Sequence, residues 1–103
     1  MDVKDFSLRL ARLRTEMGLS AREMSLRMGQ NPGYINNIES GKSTPSLSGI
    51  FYICEFLGIT PSEFFDLSTD SPIKINAIVK DLKHLDSAQL DVIAALTKSM
   101  LQR

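Results

Sequence analysis

Side chains that donate and accept hydrogen bonds are concentrated in one short stretch, GQNPGYINNIESGK, at residues 29–42. Asn31, Tyr34, Asn36 and Asn37 fall within seven positions of it. Carboxamide and phenol groups form hydrogen bonds in both directions, but none of them changes its charge near neutral pH. The stretch therefore indicates binding through hydrogen bonds and not acid–base catalysis.

The reactive side chains elsewhere do not form a catalytic or metal-binding pattern. His84, the only histidine, lies between Asp81 and Asp86 without metal-ligand spacing, so we expect these residues to cap a helix end or to contact solvent. Cys54 falls on an apolar stripe and is predicted to be a core residue. With no glycine-rich phosphate loop and no nucleophile–base set, we predict no enzyme, no metal and no cofactor.

Composition is that of a globular protein. The 103 residues are 43% hydrophobic and 23% charged, with a formal net charge of zero. Basic residues slightly exceed acidic ones in the first half, which permits nucleic-acid binding without demonstrating it. The single cysteine, the short uncharged runs and the lack of a signal-peptide pattern predict a cytoplasmic protein that does not enter a membrane.

Apolar spacing predicts two helices ahead of the polar stretch. Phe6, Leu10, Leu13 and Met17 form one stripe of a first helix that stops at Gly18, with Arg9, Arg12 and Glu16 on its surface. Ser20 and Glu23 then form a capping box for a second, short helix whose inward face is Met24 and Met28.

The polar stretch itself predicts a third helix. Asn31 is a good N-cap and Pro32 suits the first helical position, where no backbone donor is needed. Ile35 and Ile38 would point inward, and Gly41 would end the helix.

Two further short helices are predicted before a polar connector at residues 66–72. Ser46 caps the fourth, with Leu47, Ile50, Cys54 and Leu57 on one face, and Thr60 to Glu63 form the capping box of the fifth. Without any alternating strand pattern, residues 1–66 are predicted to be an all-α domain.

Residues 67–103 are predicted to add a C-terminal helical extension. A sixth helix would begin at Ser71-Pro72 with Ile75, Ile78, Val79 and Leu82 inward, and Asp86 and Gln89 would cap a seventh. The stripe of the seventh helix has two interpretations: it covers the core of its own chain, or it pairs with a second copy. We favour a dimer interface, formed by Leu90, Ile93, Leu96 and Met100.

A short helix, a glycine-containing turn and a second short helix describe a helix-turn-helix. The run RLRTEMGLSAREMSLRMGQNPGYINNIESGKSTPSL, and FLGITPSEFFD after it, resemble the five-helix DNA-binding domain of phage repressors and Cro, the Cro/C1-type or XRE family. The resemblance covers about residues 5–66. It implies a third helix lying in the major groove of double-stranded DNA.

The resemblance also implies roles for individual residues. Arg14 and Glu39 correspond to a structural ion pair of the family, the alternative for Arg14 being contact with DNA. The base-reading positions fall on Pro32, Gly33 and Asn37, and two of these lack a polar side chain; we expect Asn37 to read bases, with Tyr34 and Asn36 divided between base and phosphate. The residues expected at phosphates are Ser20, Ala21, Arg22, Asn31, Lys42, Ser43 and Thr44.

The predicted function is therefore that of a sequence-specific transcriptional regulator, a repressor that binds a palindromic operator as a homodimer. One alternative is the antitoxin of a toxin–antitoxin pair, in which residues 70–103 bind a protein partner. Another is a helical protein-interaction module that keeps the fold without binding DNA, which the neutral net charge and the bare Pro32-Gly33 tip favour.

Overall fold

A computed structural model of the chain describes residues 1–69 and 71–102, and this part of the chain is all-α, as predicted. Asp70 and Arg103, which belong to the predicted C-terminal extension, lie outside the described residues. The helices are α1 Val3–Glu16, α2 Ala21–Arg27, α3 Tyr34–Glu39, α4 Leu47–Leu57, α5 Pro61–Phe65, α6 Pro72–Leu82 and α7 Ser87–Leu101.

Reciprocal capping boxes start four of these helices. The boxes predicted at Ser20–Glu23, Thr60–Glu63 and Asp86–Gln89 are all formed, and Asp2–Asp5 adds one at the start of α1. In each box two amides that the helix itself cannot satisfy receive side-chain partners. Helices as short as α2 and α5 are therefore defined locally before any packing is considered.

One hydrophobic core joins α1 to α5. Most of the predicted stripes point into it, but Leu47 is 69% exposed and Met17 lies at the surface, so both predictions are wrong. The first turn of α4 extends past the core, and burial starts one turn later, at Ile50. The buried apolar side chains are Phe6, Leu10, Leu13, Leu19, Met24, Ile35, Ile38, Ile53, Cys54, Leu57, Ile59 and Phe64.

The third helix starts later than the sequence predicts, and Pro32 lies in the turn before it and not at its first position. Asn31 to Tyr34 form a turn, closed by a 3.1 Å hydrogen bond from the Tyr34 amide to the Asn31 carbonyl, and α3 begins only at Tyr34. Asn31 does not cap the helix; its Oδ1 accepts from the Gly33 amide within the turn. An amide of the first turn of α3 is satisfied from outside, by a 3.0 Å bond from Ile35 N–H to the Ser25 hydroxyl.

The burial of Arg9 departs furthest from the sequence-based prediction. Arg9 was expected on the surface of α1, yet it is only 4% exposed. Its guanidinium donates to backbone carbonyls at the end of α5 and in the connector that follows. Helical periodicity could not reveal this, because the acceptors are main-chain atoms more than fifty residues away.

The C-terminal extension is attached at one end only. Pro72 is buried and Ile73 packs on the core, whereas the expected inward residues Ile75 and Ile78 are about half exposed. None of the described residues of α7 is buried. The molecule is accordingly long, 50 × 28 × 22 Å, with a radius of gyration of 16.5 Å against about 13 Å for a compact chain of this size.

Candidate nucleic-acid interface

The start of α2 presents unpaired backbone donors to solvent. Ser20 and Glu23 exchange hydrogen bonds of 3.0 and 3.1 Å through their side chains and amides. The amides of Ala21 and Arg22, in the same first turn, have no acceptor within the helix. Such donors at the positive end of a helix suit a phosphate oxygen, and the exposed Arg22 side chain adds a positive charge.

The leading edge of α3 is open at Gly33. A Cβ placed on Gly33 would lie 3.7 Å from the Asn31 Oδ1 and 3.7 Å from the Asn37 Nδ2, so the glycine sits between two carboxamides. Its φ of −92° is one that any residue adopts, and the backbone does not require a glycine there. The missing side chain leaves the tip of the helix open as far as Asn37, one turn further on.

The backbone of Asn37 is hydrogen-bonded to the residues that follow α3, but its carboxamide is not itself engaged. The Asn37 carbonyl accepts from the Ser43 amide at 3.1 Å and from the Ser40 hydroxyl at 3.3 Å. Across the described part of the chain, neither its side-chain oxygen nor its nitrogen has a hydrogen-bond partner. The group is therefore available for a two-bond contact of the kind that asparagine makes with adenine.

Tyr34 lies differently from the other predicted readers. Its ring is half-buried against the core, and its hydroxyl would be 2.9 Å from a Cβ built on Gly49, in the first turn of α4. Gly49 thus makes room for the tyrosine, a role that the sequence analysis missed. The Ser46 cap, identified from sequence, marks the start of α4. The Tyr34 hydroxyl lies beside this helix start and not at the tip of α3.

The loop between α3 and α4 completes the same surface. Lys42, Ser43 and Thr44 are all exposed. The hydrogen bond between Ser43 and Asn37 ties this loop to the back of α3. The start of α2 precedes the α3 tip in the chain and this loop follows it, so both are candidate sources of donors to phosphate.

Arg14 and Glu39 join α1 to the end of α3. Two bonds of 2.8 and 2.9 Å connect the guanidinium to the carboxylate, and Arg14 Nη1 donates to the Leu19 carbonyl at 2.8 Å. Hydrogen bonding to Glu39 raises the pKa of Arg14 against the opposing effect of burial. The pair fixes the direction of α3 relative to α1.

Other kinds of site find little support. Burial raises the pKa of the Cys54 thiol, which lies in the core. Among residues 1–69 and 71–102, His, Cys, Asp and Glu side chains form no group of three suited to a metal ion. Over the same residues, each helix is too short or too polar to cross a membrane.

Comparison with known proteins agrees with this geometry. A helix-turn-helix family model matches residues 10–64, slightly more than half of the chain. The uncharacterized HTH-type transcriptional regulator y4dJ of Sinorhizobium fredii is 29% identical over 62 residues, which span 60% of this chain and 80% of that protein. No solved structure matches the chain. The chain belongs to the Cro/C1-type helix-turn-helix family of DNA-binding transcription regulators.

Proposed function

We propose that the protein is a repressor that binds a palindromic operator as a homodimer. The observation that supports the DNA-binding half of this proposal is the open tip of α3 at Gly33, with donor residues before and after it in the chain. In such an arrangement the flanking donors position the protein on phosphates, while the few side chains at the helix tip read base edges. A bacterial or mobile-element regulator of this kind acts in the cytoplasm, where the genome is.

In this proposal the side chains divide the work. Asn37 reads a base through its unengaged carboxamide, and Asn36, exposed on the same helix, contributes at the groove. Pro32 offers an apolar contact to a thymine methyl, and Gly33 allows the backbone to approach. Tyr34 serves the DNA backbone, because its hydroxyl lies at the start of α4.

Phosphate contacts come from two groups of residues on either side of the tip. The residues assigned to phosphates are Ser20, Ala21, Arg22 and Asn31 before it, and Lys42, Ser43 and Thr44 after it. All of them except the half-buried Ala21 are exposed, and this exposure, with the amides at the start of α2 that the helix does not use, supports the assignment.

Selection of binding sites from random DNA, followed by salt titration, tests the DNA half. If Arg22 and Lys42 each neutralise one phosphate, a dimer neutralises about four, and log K should fall with log salt at a slope of about −3.6. A palindrome should emerge, with its half-site centres about 34–36 Å apart. A slope near zero, with no sequence selected, would refute DNA binding and favour the protein-interaction module.

The dimer half rests on the exposed stripe of α7. Leu90, Leu96 and Met100 are 40%, 55% and 66% exposed, and Ile93 is half-buried. Apolar side chains that no core covers are stabilised when a second copy covers them, by about 25 cal/mol per Å² removed from water. We therefore expect Leu90→Lys with Ile93→Lys to give a folded monomer, measured by sedimentation equilibrium and circular dichroism. A dimer that survives both changes would place the interface elsewhere.

The same stripe keeps the antitoxin alternative open, because an apolar face on a protruding arm also fits a toxin. Co-expression with the product of a neighbouring gene distinguishes the two. A stable hetero-complex that displaces the homodimer would support an antitoxin, and an undisturbed homodimer would support the simple repressor.

A further inference from the structure

Arg9 uses its whole guanidinium to hold one short segment of backbone. Nε donates to the Phe64 carbonyl at 2.8 Å, and Nη2 donates to the Glu63 and Asp66 carbonyls at 3.0 Å each. Nη1 donates to the Thr69 carbonyl, also at 3.0 Å. The side chain on α1 therefore holds the end of α5 and the residues after it as far as Thr69.

Arginine suits this position for two physical reasons. The last carbonyls of a helix accept no hydrogen bond within the helix, and they carry a partial negative charge that a nearby cation stabilises. The planar guanidinium presents five donors in a fixed fork, whereas a lysine ammonium is a compact charge that cannot reach four carbonyls in one plane. The direction in which the connector leaves the domain is thus set by a rigid group.

Two more contacts hold the first turns of α6. Ser71 Oγ donates to Glu16 Oε1, at the end of α1, at 2.8 Å. On the other side, Asn76 Nδ2 donates to the Gly58 carbonyl and to Glu63 Oε1, both at 3.2 Å. Together with buried Pro72, these bonds attach the base of the arm to both ends of the core, while the rest of the arm projects.

We propose that Arg9, Ser71 and Asn76 form an arm lock, which fixes the direction of α6 relative to the core that carries α3 and so determines, through the α7 dimer, the half-site spacing that the dimer accepts. The inference rests on the proposed dimer through α7, because only then does the direction of the arm decide where the second α3 lies. The three residues are positioning residues and do not contact DNA.

The geometry makes the spacing sensitive to small movements of the arm. The 11 residues of α6 are about 16 Å long at 1.5 Å per residue. A tilt of about 12° at its base moves its far end by about 3.4 Å, which is the rise of one base pair. To discriminate between operators whose spacers differ by one base pair, the lock must keep the tilt of α6 below about 12°.

The test uses two lock variants: one chain that carries both Ser71→Ala and Asn76→Ala, and one that carries Arg9→Lys. Each is compared with Lys74→Ala. Lys74 is exposed on the same helix and serves as the matched control. Each protein carries Gln30→Cys, an exposed position near α3, with a spin label, while the buried Cys54 thiol stays unlabelled. The distance distribution between the two labels of a dimer reports the spread of the two α3 helices.

We expect a narrow distribution for the unsubstituted protein and for Lys74→Ala, and one at least about twice as wide for the lock variants. On operators whose spacer is changed by one base pair, a preference of about tenfold for the best spacer should fall to about twofold in the lock variants. If Arg9→Lys does not fold, the Ser71→Ala, Asn76→Ala protein decides alone, since its substitutions leave the core intact.

Two results would overturn the inference, and they are distinguishable. A dimer whose distance distribution and spacer preference are the same in the lock variants as in Lys74→Ala would refute the lock and leave the proposed function standing. A labelled, unsubstituted protein that gives no distance between copies would refute the dimer itself and the lock with it.

Discussion

Replacing Gly33 by alanine separates the folding requirement at the tip of α3 from the DNA-binding requirement. The backbone at Gly33 has a φ of −92° and a ψ of 0°, which alanine also adopts. A Cβ there would meet the Asn31 and Asn37 carboxamides at 3.7 Å, an ordinary van der Waals contact. We therefore expect Gly33→Ala to fold as the unsubstituted protein does.

The change in stability should be small because two effects oppose each other. Alanine reduces the conformational entropy of the unfolded chain, which stabilises a compatible site by about 0.4–1 kcal/mol. Glycine is preferred to alanine at an N-cap, the position that Gly33 occupies, and this offsets most of the gain. The free energy of unfolding, measured by urea denaturation, should change by no more than about 0.5 kcal/mol.

Affinity for DNA should fall by much more. The added methyl group would occupy the gap that leaves the Asn37 carboxamide accessible and lets the backbone approach the groove. Losing one close base contact costs about 1–3 kcal/mol, which is roughly a five- to 150-fold weaker half-site. Fluorescence anisotropy on the selected operator and on a single half-site measures it.

Gly58→Ala is the matched control. Gly58 has a φ of 72° at the end of α4, a left-handed conformation that costs a residue with a Cβ about 1–2 kcal/mol. That variant should lose stability and keep its half-site affinity while folded, the reverse of Gly33→Ala. If Gly33→Ala binds DNA with unchanged affinity, the proposed close approach of the backbone to DNA at the α3 tip is wrong. If it unfolds, the description of the turn is wrong.

Three further predictions concern the site and the fold. Asn37→Ala should relax base preference at one position of each half-site, whereas Lys42→Ala should weaken binding to all sequences alike and flatten the salt slope of the dimer by about 2, or about 1 per copy; equal effects of both would refute the division of labour. Glu39→Gln should lower the free energy of unfolding by about 1.5–3 kcal/mol, below the cost of breaking a fully buried pair, since the carboxylate keeps 13% exposure; an unchanged urea midpoint would contradict this. Hydrogen bonds from the Ser20 and Thr60 amides lower the pKa of Glu23 and Glu63. The contribution of these carboxylates to stability is therefore present above the ordinary value of 4.5 and is lost as pH falls through the lowered pKa. The melting temperature should fall with acidification below about pH 4.5, and less steeply in a chain with glutamine at both positions.

Much of the local structure follows from the sequence because it depends on neighbours along the chain. The capping boxes at Ser20, Thr60 and Asp86 join residues three apart, and the apolar stripes of α1 and α2 repeat at the helical period. The order of these elements and the residues around Gly29–Lys42 were sufficient to identify the family. The all-α fold was predictable for the same reason.

Tertiary structure decided what depends on distant main-chain atoms. Ser25 takes the place of the expected Asn31 cap by reaching from α2 to the Ile35 amide, and so α3 begins at Tyr34. Leu47 is an apolar residue in phase with its helix, but the core reaches α4 only one turn later, at Ile50.

Arg9 shows the limit most clearly. Its type and position on α1 suggest a solvated charge, and only folding brings the carbonyls of residues 63–69 around it. Main-chain carbonyls are the same in every residue, so no sequence pattern marks which of them will meet a guanidinium. The sequence by itself determined most helix starts and the family they form, and only the tertiary structure brought Arg9 of α1 to the carbonyls at the end of α5.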